Sequence, residues 1–562
     1  MKPARCFSHV FTHADMPSEM QSAVARLIPA NPCLQQSPHV DKTMQLCDFY
    51  AGIGEKVILT RPAHFGKSTA LSLLLHLHSG PMQFIGSALD TFLQTERSRW
   101  MGSTYYSSMT TNLVRRLYEV TPLEFRRQFP VLYFNLEPLA VSSPAALREY
   151  LISQTSRFNS AYETRQEITD LRTGLNRLLQ AIPDSGLEIP AVFIDGFDAP
   201  LRNRWDSAFS ERLAVMEELG EALQADTKLI FCAGRSADPQ LLNLNSWAAF
   251  EDVSVKKRYA NLCGFTWEEV EKAYKTQLVE AQSRLSLSPE ALKAEIQAWF
   301  GGYCFSNALS SSLLCPYSLT HFFSTFSFQS YRQASVFPQD ISNLLKIHPA
   351  VLTSSFVYEE RKDKALLQAG HDTNPFDLQE ALGVLYRLGL LAPWKMMFPK
   401  ILHLRVVNRC AAEMLAKVYV DTVCAKLIAE AKRALLPSFQ PDSLQSVLNN
   451  IVKNVSIEAF KAALLTLGGI EGIGVVYLGA DYIDICIPEK YTLRVNIKIE
   501  GKSASFLRAG KQDLPKATQE YGLQLAYFPT ANKAEILAVG ELTSSGQLTR
   551  LTKTSGRPRK TH

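Results

Sequence analysis

The sequence has no C-x-x-C pair, although it holds ten cysteines among 562 residues. That spacing excludes a zinc ribbon, a thioredoxin-type motif and a dense disulfide scaffold, and makes reduced thiols in a cytoplasmic protein the expectation. No apolar run approaches ~18 residues, so no transmembrane helix and no membrane partner are expected. The start, MKPARCFSHVFTHADM, lacks the continuous apolar core of a secretory leader. A strong charge bias is missing too: Lys+Arg 59 against Asp+Glu 54 gives +5, too little by itself to imply a nucleic-acid partner. Gly 28 and Pro 28 are ordinary, which removes collagen-like and low-complexity readings. What remains is a globular composition, 46% hydrophobic and 20% charged, long enough for about three or four domains.

Four short apolar runs organise the first half: VILT (57–60), VLYFNL (131–136), AVFIDGF (191–197) and KLIFCAG (228–234). Helix-like stretches such as 146–158 and 211–225 lie between them. Strands that are apolar throughout and alternate with helices predict an α/β fold, a parallel sheet with helices on both faces. The expected domains are a lead-in over 1–40, this α/β domain over 41–260, a mainly helical, winged-helix-like region over 261–430, a C-terminal α/β domain over 431–550 and a basic tail over 551–562. The C-terminal domain opens on helical segments and passes into strands near GVVYLG, YIDICIP, YTLRVNIKIE, LQLAYFP and AEILAVG.

Between VILT and an expected helix over 67–80 stands Arg61-Pro62-Ala63-His64-Phe65-Gly66-Lys67-Ser68. Gly66, Lys67 and Ser68 fit the second half of G-x-x-x-x-G-K-[ST]. Arg61 replaces the first glycine, and Pro62 removes one backbone donor. In such a loop, main-chain N–H groups and a helix N-terminus surround the phosphates. The Lys reaches the β/γ-phosphates and the Ser hydroxyl ligates Mg2+. Arg61, Phe65, Gly66, Lys67, Ser68 and Thr69 are therefore the candidate nucleotide residues, against the plainer reading of a strand–turn–helix with a surface lysine. Asp195, ending AVFID, is the candidate second Mg2+ ligand, and Asp198 follows three residues on. The plainer alternative for Asp195 is a carboxylate capping the next turn. ATP-hydrolysing sites commonly place a water-activating Glu directly after that Asp; here Gly196 stands there. Ala233, with Arg235 two residues later, stands where a polar water-positioning side chain is expected.

These blocks resemble those of the AAA-ATPase-like proteins that carry a C-terminal PD-(D/E)XK nuclease-like domain. VDKT (40–43) precedes the loop, and VILTRPAHFGKS is similar to the family's TRPRRFGKS, which also lacks the first glycine. FIDGFDAPL (193–201) resembles LIDEYDKPI, GFTWEEV (264–270) resembles GFTEEEV, and WFGGYCF (299–305) resembles WYNGYRF. CPYSLTHFF (315–323) and, more loosely, VVNRCAAEML (406–415) continue the order. The likeness covers about 40–430 well and 431–562 weakly. It implies a P-loop NTPase-type fold in which Lys67, Ser68 and Asp195 bind ATP and Mg2+. The family's paired arginines become Ala63 and His64, and its Asp-Glu becomes Asp195-Gly196, so binding with weak or absent hydrolysis is expected.

The resemblance also implies a nuclease-like C-terminal domain that engages DNA or RNA. Such a site needs an Asp on one strand and an acid-x-Lys on the next, the acids holding Mg2+ and the lysine polarising water. Asp484 is the candidate first acid. Asn496-x-Lys498 has the spacing but an amide in place of the acid; Glu500-x-Lys502 has the residue types, with Asp484 and Glu500 as the metal pair, but Gly501 signals a strand end. A solvated face of Arg494, Asn496, Lys498 and Glu500 is the favoured reading on residues alone, and the domain is expected to be degenerate. His76 and His78, two apart on a helix, face different ways and read as packing or surface residues. Trp299, Phe300 and Tyr303 beside Gly301-Gly302 read as an aromatic-packed helix end rather than a base-stacking platform. The alternative to a nucleotide-binding protein is a scaffold that keeps the fold after both sites have decayed; oligomer formation is left open.

Overall fold

The structure, a computed structural model, describes residues 18–29, 40–79, 129–140, 142–202, 206–236, 238–306, 312–331, 378–398 and 401–423, scattered positions within 342–359, and the C-terminal strands given below. The chain divides into two units. The first holds the described residues up to Lys275 together with Cys304–Pro316.

At the centre of the first unit is a five-stranded sheet, order β2-β3-β4-β1-β5. Its strands are β1 (Lys56–Thr60), β2 (Val131–Asn135), β3 (Ala191–Asp195), β4 (Leu229–Gly234) and β5 (Glu251–Asp252), and every pairing is parallel. β3 and β4 are buried at every position, which is why they read as unbroken apolar runs. Among the described residues, the helices that accompany the sheet include α1 (Ser18–Ala25), α2 (Thr43–Gly52), α3 (Lys67–Ser79), α4 (Pro144–Ala161), α5 (Leu171–Asp184) and α6 (Phe209–Ala222). α4 starts where Ser143 accepts the Ala146 N–H (3.2 Å) with Pro144 at the first helical position. α5 starts where Asp170 accepts the Thr173 N–H (2.8 Å). It buries Leu171, Leu175, Leu178, Leu179 and Ile182, one face at helical spacing. Truncating one such leucine to alanine costs about 2–5 kcal/mol. Tyr162, just past α4, clamps β2: its hydroxyl bonds both the N–H (2.8 Å) and the carbonyl (2.9 Å) of Val131.

The chain leaves β1 for the far edge, returns through β2, β3 and β4, then passes over β1 to β5. Strand order therefore reverses between β1 and β4. In open α/β sheets, ligands bind outside the carboxyl ends at such a switch point. The 61–66 loop, the end of β3 and the residue after β4 all converge there.

The second unit contains most of α8 (Lys275–Leu285), which follows α7 (Trp267–Ala273) of the first unit, then α9 (Pro289–Phe300), all but the first residue of α10 (Pro316–Thr325), α11 (Leu378–Arg387) and α12 (Arg409–Val423). α9 ends at Gly301-Gly302, where Gly302 has φ +86 and a Cβ would lie 2.4 Å from the Val407 carbonyl. Phe300 is buried there, its ring 6.1 Å from Phe328. The mainly helical expectation for this region leaves out an antiparallel sheet of β6 (Phe356–Glu359), β7 (Leu391–Phe398) and β8 (Ile401–Val406), order β6-β8-β7. Pro393 hides β7 from a strand reading; it sits in an edge strand next to a register shift, where a missing N–H is tolerated. The C-terminal sheet runs β9 (Gly474–Tyr477), β10 (Tyr482–Ile487), β11 (Tyr491–Ile499), β12 (Gln519–Phe528), β13 (Lys533–Leu542) and β14 (Leu548–Arg550), paired in sequence order. β11 and β12 are parallel and the other pairs antiparallel. The helical segments expected early in 431–550, the basic tail, Glu500 and Lys502 lie outside the described residues. Among the described residues no helix is long and apolar enough to cross a membrane.

Candidate functional site

The loop from β1 to α3 turns through two left-handed residues, His64 (φ 63) and Gly66 (φ 87). A Cβ at Gly66 would meet nothing within 4 Å, so open space lies in front of this backbone at the head of α3. The first N–H groups of α3 have no intrahelical acceptor, and with the helix dipole they favour an anion there. Ser68 and Thr69 are exposed at this end. Lys67 is buried and donates to the Pro62 carbonyl (2.8 Å). Burial brings its ammonium down to about 8, against the opposing pull of the Asp198 and Asp195 carboxylates.

Arg61 is 1% exposed, and its guanidinium turns into the protein. It donates to the carbonyls of Thr60 (2.8 Å), Ser254 (2.7 Å) and Tyr259 (2.9 Å) and lies over the Phe305 ring at 4.3 Å. Its backbone N–H bonds the Gly234 carbonyl (3.0 Å). The residue replacing the first glycine thus pins the loop to the segment after β5. Phe65 is buried against Phe305 (centroids 5.1 Å), and its carbonyl accepts the Gly264 N–H (3.2 Å). A Cβ on Gly264 would come 2.3 Å from the Phe65 ring, so GFTWEEV needs its glycine. The same motif forms a capping box on α7, Thr266 with Glu269, and Glu269 takes the Lys42 ammonium of VDKT at 2.6 Å. Blocks far apart in sequence therefore buttress one loop.

Asp195 ends β3 and is 7% exposed. Burial pushes its carboxyl up, and Ser68 and Lys67 oppose that push. Asp198 is 3% exposed; it takes Arg202 Nε (2.9 Å) and the backbone N–H of Arg235 (2.9 Å). It thereby ties the turn after β3 to the end of β4.

Glu137, which the sequence reading passes over, sits in the turn after β2. Its carboxylate accepts Arg202 (2.5 Å) and Arg235. Burial pushes this carboxyl up, but the two guanidinium groups hold it down at about 2. The signal available in the sequence was positional: an acid just past an apolar strand expected in a parallel sheet.

In the C-terminal sheet, register sets Asp484 opposite Arg494 and Tyr482 opposite Asn496. Asn496 and Lys498 follow Arg494 along β11.

A family model described as predicted AAA-ATPase matches residues 34–225. The match takes in the loop, Glu137, Asp195, Asp198 and Arg202, and ends before Arg235. The chain is similar to an uncharacterized protein encoded in the vnfD 5' region of Azotobacter chroococcum mcd 1, 22% identical over 389 residues. That alignment covers 65% of this chain and 64% of the relative, so it spans less than two thirds of the relative's length. Among solved structures the chain is similar to a Walker-type ATPase of Pyrococcus abyssi, at 10% identity and a TM-score of 0.33, covering 68% of this chain and 98% of that one.

Proposed function

We propose that the first unit binds ATP with Mg2+ in the crevice between the β1–α3 loop and the ends of β3 and β4. One observation carries the reading: the loop that opens α3 with Gly66, buried Lys67 and Ser68 lies at the same carboxyl edge of the sheet as the buried Asp195 carboxylate that ends β3. The Ser68 hydroxyl and the Asp195 carboxylate are hard oxygen ligands suited to Mg2+, and the open space at Gly66 leaves its backbone clear for phosphate. Lys67 gives up the Pro62 carbonyl for phosphate oxygens, and the helix N-terminus and loop amides hold the remaining charge. Bound Mg2+ would neutralise phosphate charge. The family match over residues 34–225 supports the same reading. Thermal melting tests it. Mg-ATP at about 100-fold above Kd stabilises the wild type by about 2.7 kcal/mol, a rise of a few degrees. Lys67→Ala abolishes the shift; an equal shift in both proteins refutes the site.

The C-terminal sheet is proposed to engage DNA or RNA, with cleavage resting on Asp484 and Glu500 as metal ligands and Lys502 or Lys498 beside them. The register of Asp484 against Arg494, with Lys498 farther along β11, supports contact with an anionic backbone. Asn496 in the acid position favours a second reading, a nucleic-acid-binding or scaffold sheet without cleavage. Mg2+-dependent cleavage lost in Asp484→Ala and in Glu500→Ala supports the first; no cleavage by the wild type supports the second.

A further inference from the structure

Gly196 occupies the position where an ATP-hydrolysing site commonly carries its glutamate, and the structure gives a reason for the glycine. Its φ is +69, and a Cβ built there would lie 2.8 Å from both the backbone N and the Oε2 of Glu137. Residue 196 has no room for a side chain because another carboxylate already stands where one would project. β2 brings it there: Asn135 is registered with Asp195, the Leu136 N–H bonds the Asp195 carbonyl (2.8 Å), and the turn at Glu137 follows at once. The Glu137 side chain is 40% exposed, so solvent reaches it. Its partner Arg235 follows β4, and the Arg235 backbone N–H bonds Asp198 (2.9 Å), which ties the cluster to the carboxyl ends of β3 and β4 that edge the proposed crevice.

Resting on the nucleotide reading above, we propose that Glu137 is the catalytic residue that orients and deprotonates the attacking water, supplied by the strand next to β3 in place of a residue at 196. Water attacks the γ-phosphorus. A new P–O bond forms as the bond to the β,γ-bridging oxygen breaks, and that electron pair leaves with ADP. The water proton passes to the Glu137 carboxylate and from there to solvent, which restores the carboxylate. Without nucleotide, Arg202 and Arg235 occupy that carboxylate. A γ-phosphate offers Arg235 a competing anion, so arrival of the substrate frees the Glu137 Oε1 that Arg235 holds, while Arg202 keeps Oε2 in place.

Phosphate release under saturating Mg-ATP, measured beside equilibrium Mg-ATP affinity on the full chain, tests this. The wild type turns over ATP, and Glu137→Gln loses about 100-fold or more of that rate while keeping its affinity. Glu137→Asp, which keeps the charge facing both arginines and withdraws the carboxylate by one methylene, loses less. Added formate restores part of the rate to Glu137→Ala, an effect a purely structural residue would not show. Should Glu137→Gln fail to fold, Glu137→Asp decides: wild-type turnover in it, with no formate rescue in Glu137→Ala, overturns the proposal. So does a wild type that binds Mg-ATP without hydrolysing it, which leaves the nucleotide reading standing. A wild type that binds no Mg-ATP removes both.

Discussion

The β1–α3 site has Gly196 where its motif leads one to expect an acid, the C-terminal sheet has Asn496 at the acid position of the proposed nuclease-like motif, and the two differ in what surrounds the gap. Beside Gly196, the turn that follows the neighbouring strand β2 brings in Glu137, whose carboxylate lies 2.8 Å from where a side chain at 196 would begin. Beside Asn496, the strands paired with β11 bring Tyr482 on one side and Gln524 on the other, neither of them an acid. A missing acid in a motif empties a site only when no neighbouring strand end reaches the same space. Parallel sheets meet that condition readily, because their carboxyl ends gather on one side. In the C-terminal sheet the pair partners of β11 at this level are fixed by register and offer no replacement.

The comparison can be broken at either end. Asp195→Asn removes the carboxylate charge that ends β3 and is expected to weaken Mg-ATP binding about 100-fold, with the Mg2+ dependence of affinity largely gone, as read by titration with and without the metal. Adding the missing acid with Asn496→Glu is expected to raise Mg2+-dependent nuclease activity at least about tenfold if the sheet is a decayed nuclease; unchanged activity assigns it to binding alone. Gly196→Ala sets a Cβ against Glu137 at a left-handed φ and is expected to cost about 1–3 kcal/mol by chemical denaturation, with turnover falling as Glu137 is displaced.

The smallest effect is in pH. Lys67 in the nucleotide-free fold sits at about 8, below its ordinary 10.5, so the unfolded chain binds the extra proton between those values and the empty fold gains stability as pH rises through that window. Bound phosphate pulls the ammonium back up. Affinity for Mg-ATP is therefore flat below about pH 8 and falls above it, by up to tenfold per unit; a flat profile to pH 10 contradicts the placement of Lys67 against phosphate.

Much of the sheet was legible because buried parallel strands leave unbroken apolar runs: β1, β2, β3 and β4 all coincide with runs read from sequence. The order β2-β3-β4-β1-β5 was not, since no local pattern says which run lies beside which. That is why Lys67, Ser68 and Asp195 stood out in advance and Glu137 did not: its meaning comes from β2 pairing with β3. The place of Arg61 in the motif points to a nucleotide contact, while the structure occupies its guanidinium with three carbonyls, two of which only the fold brings near. The sheet of β6, β7 and β8 escaped notice because short strands interrupted by Pro393 leave neither period.

Equilibrium titration of Mg-ATP into the wild type and into Lys67→Ala, at matched pH near 7, tests the central claim most directly. Saturable one-to-one binding that depends on Mg2+ and is lost with the lysine is the expected result. Binding that is absent from the wild type, or undiminished in the variant, would contradict it.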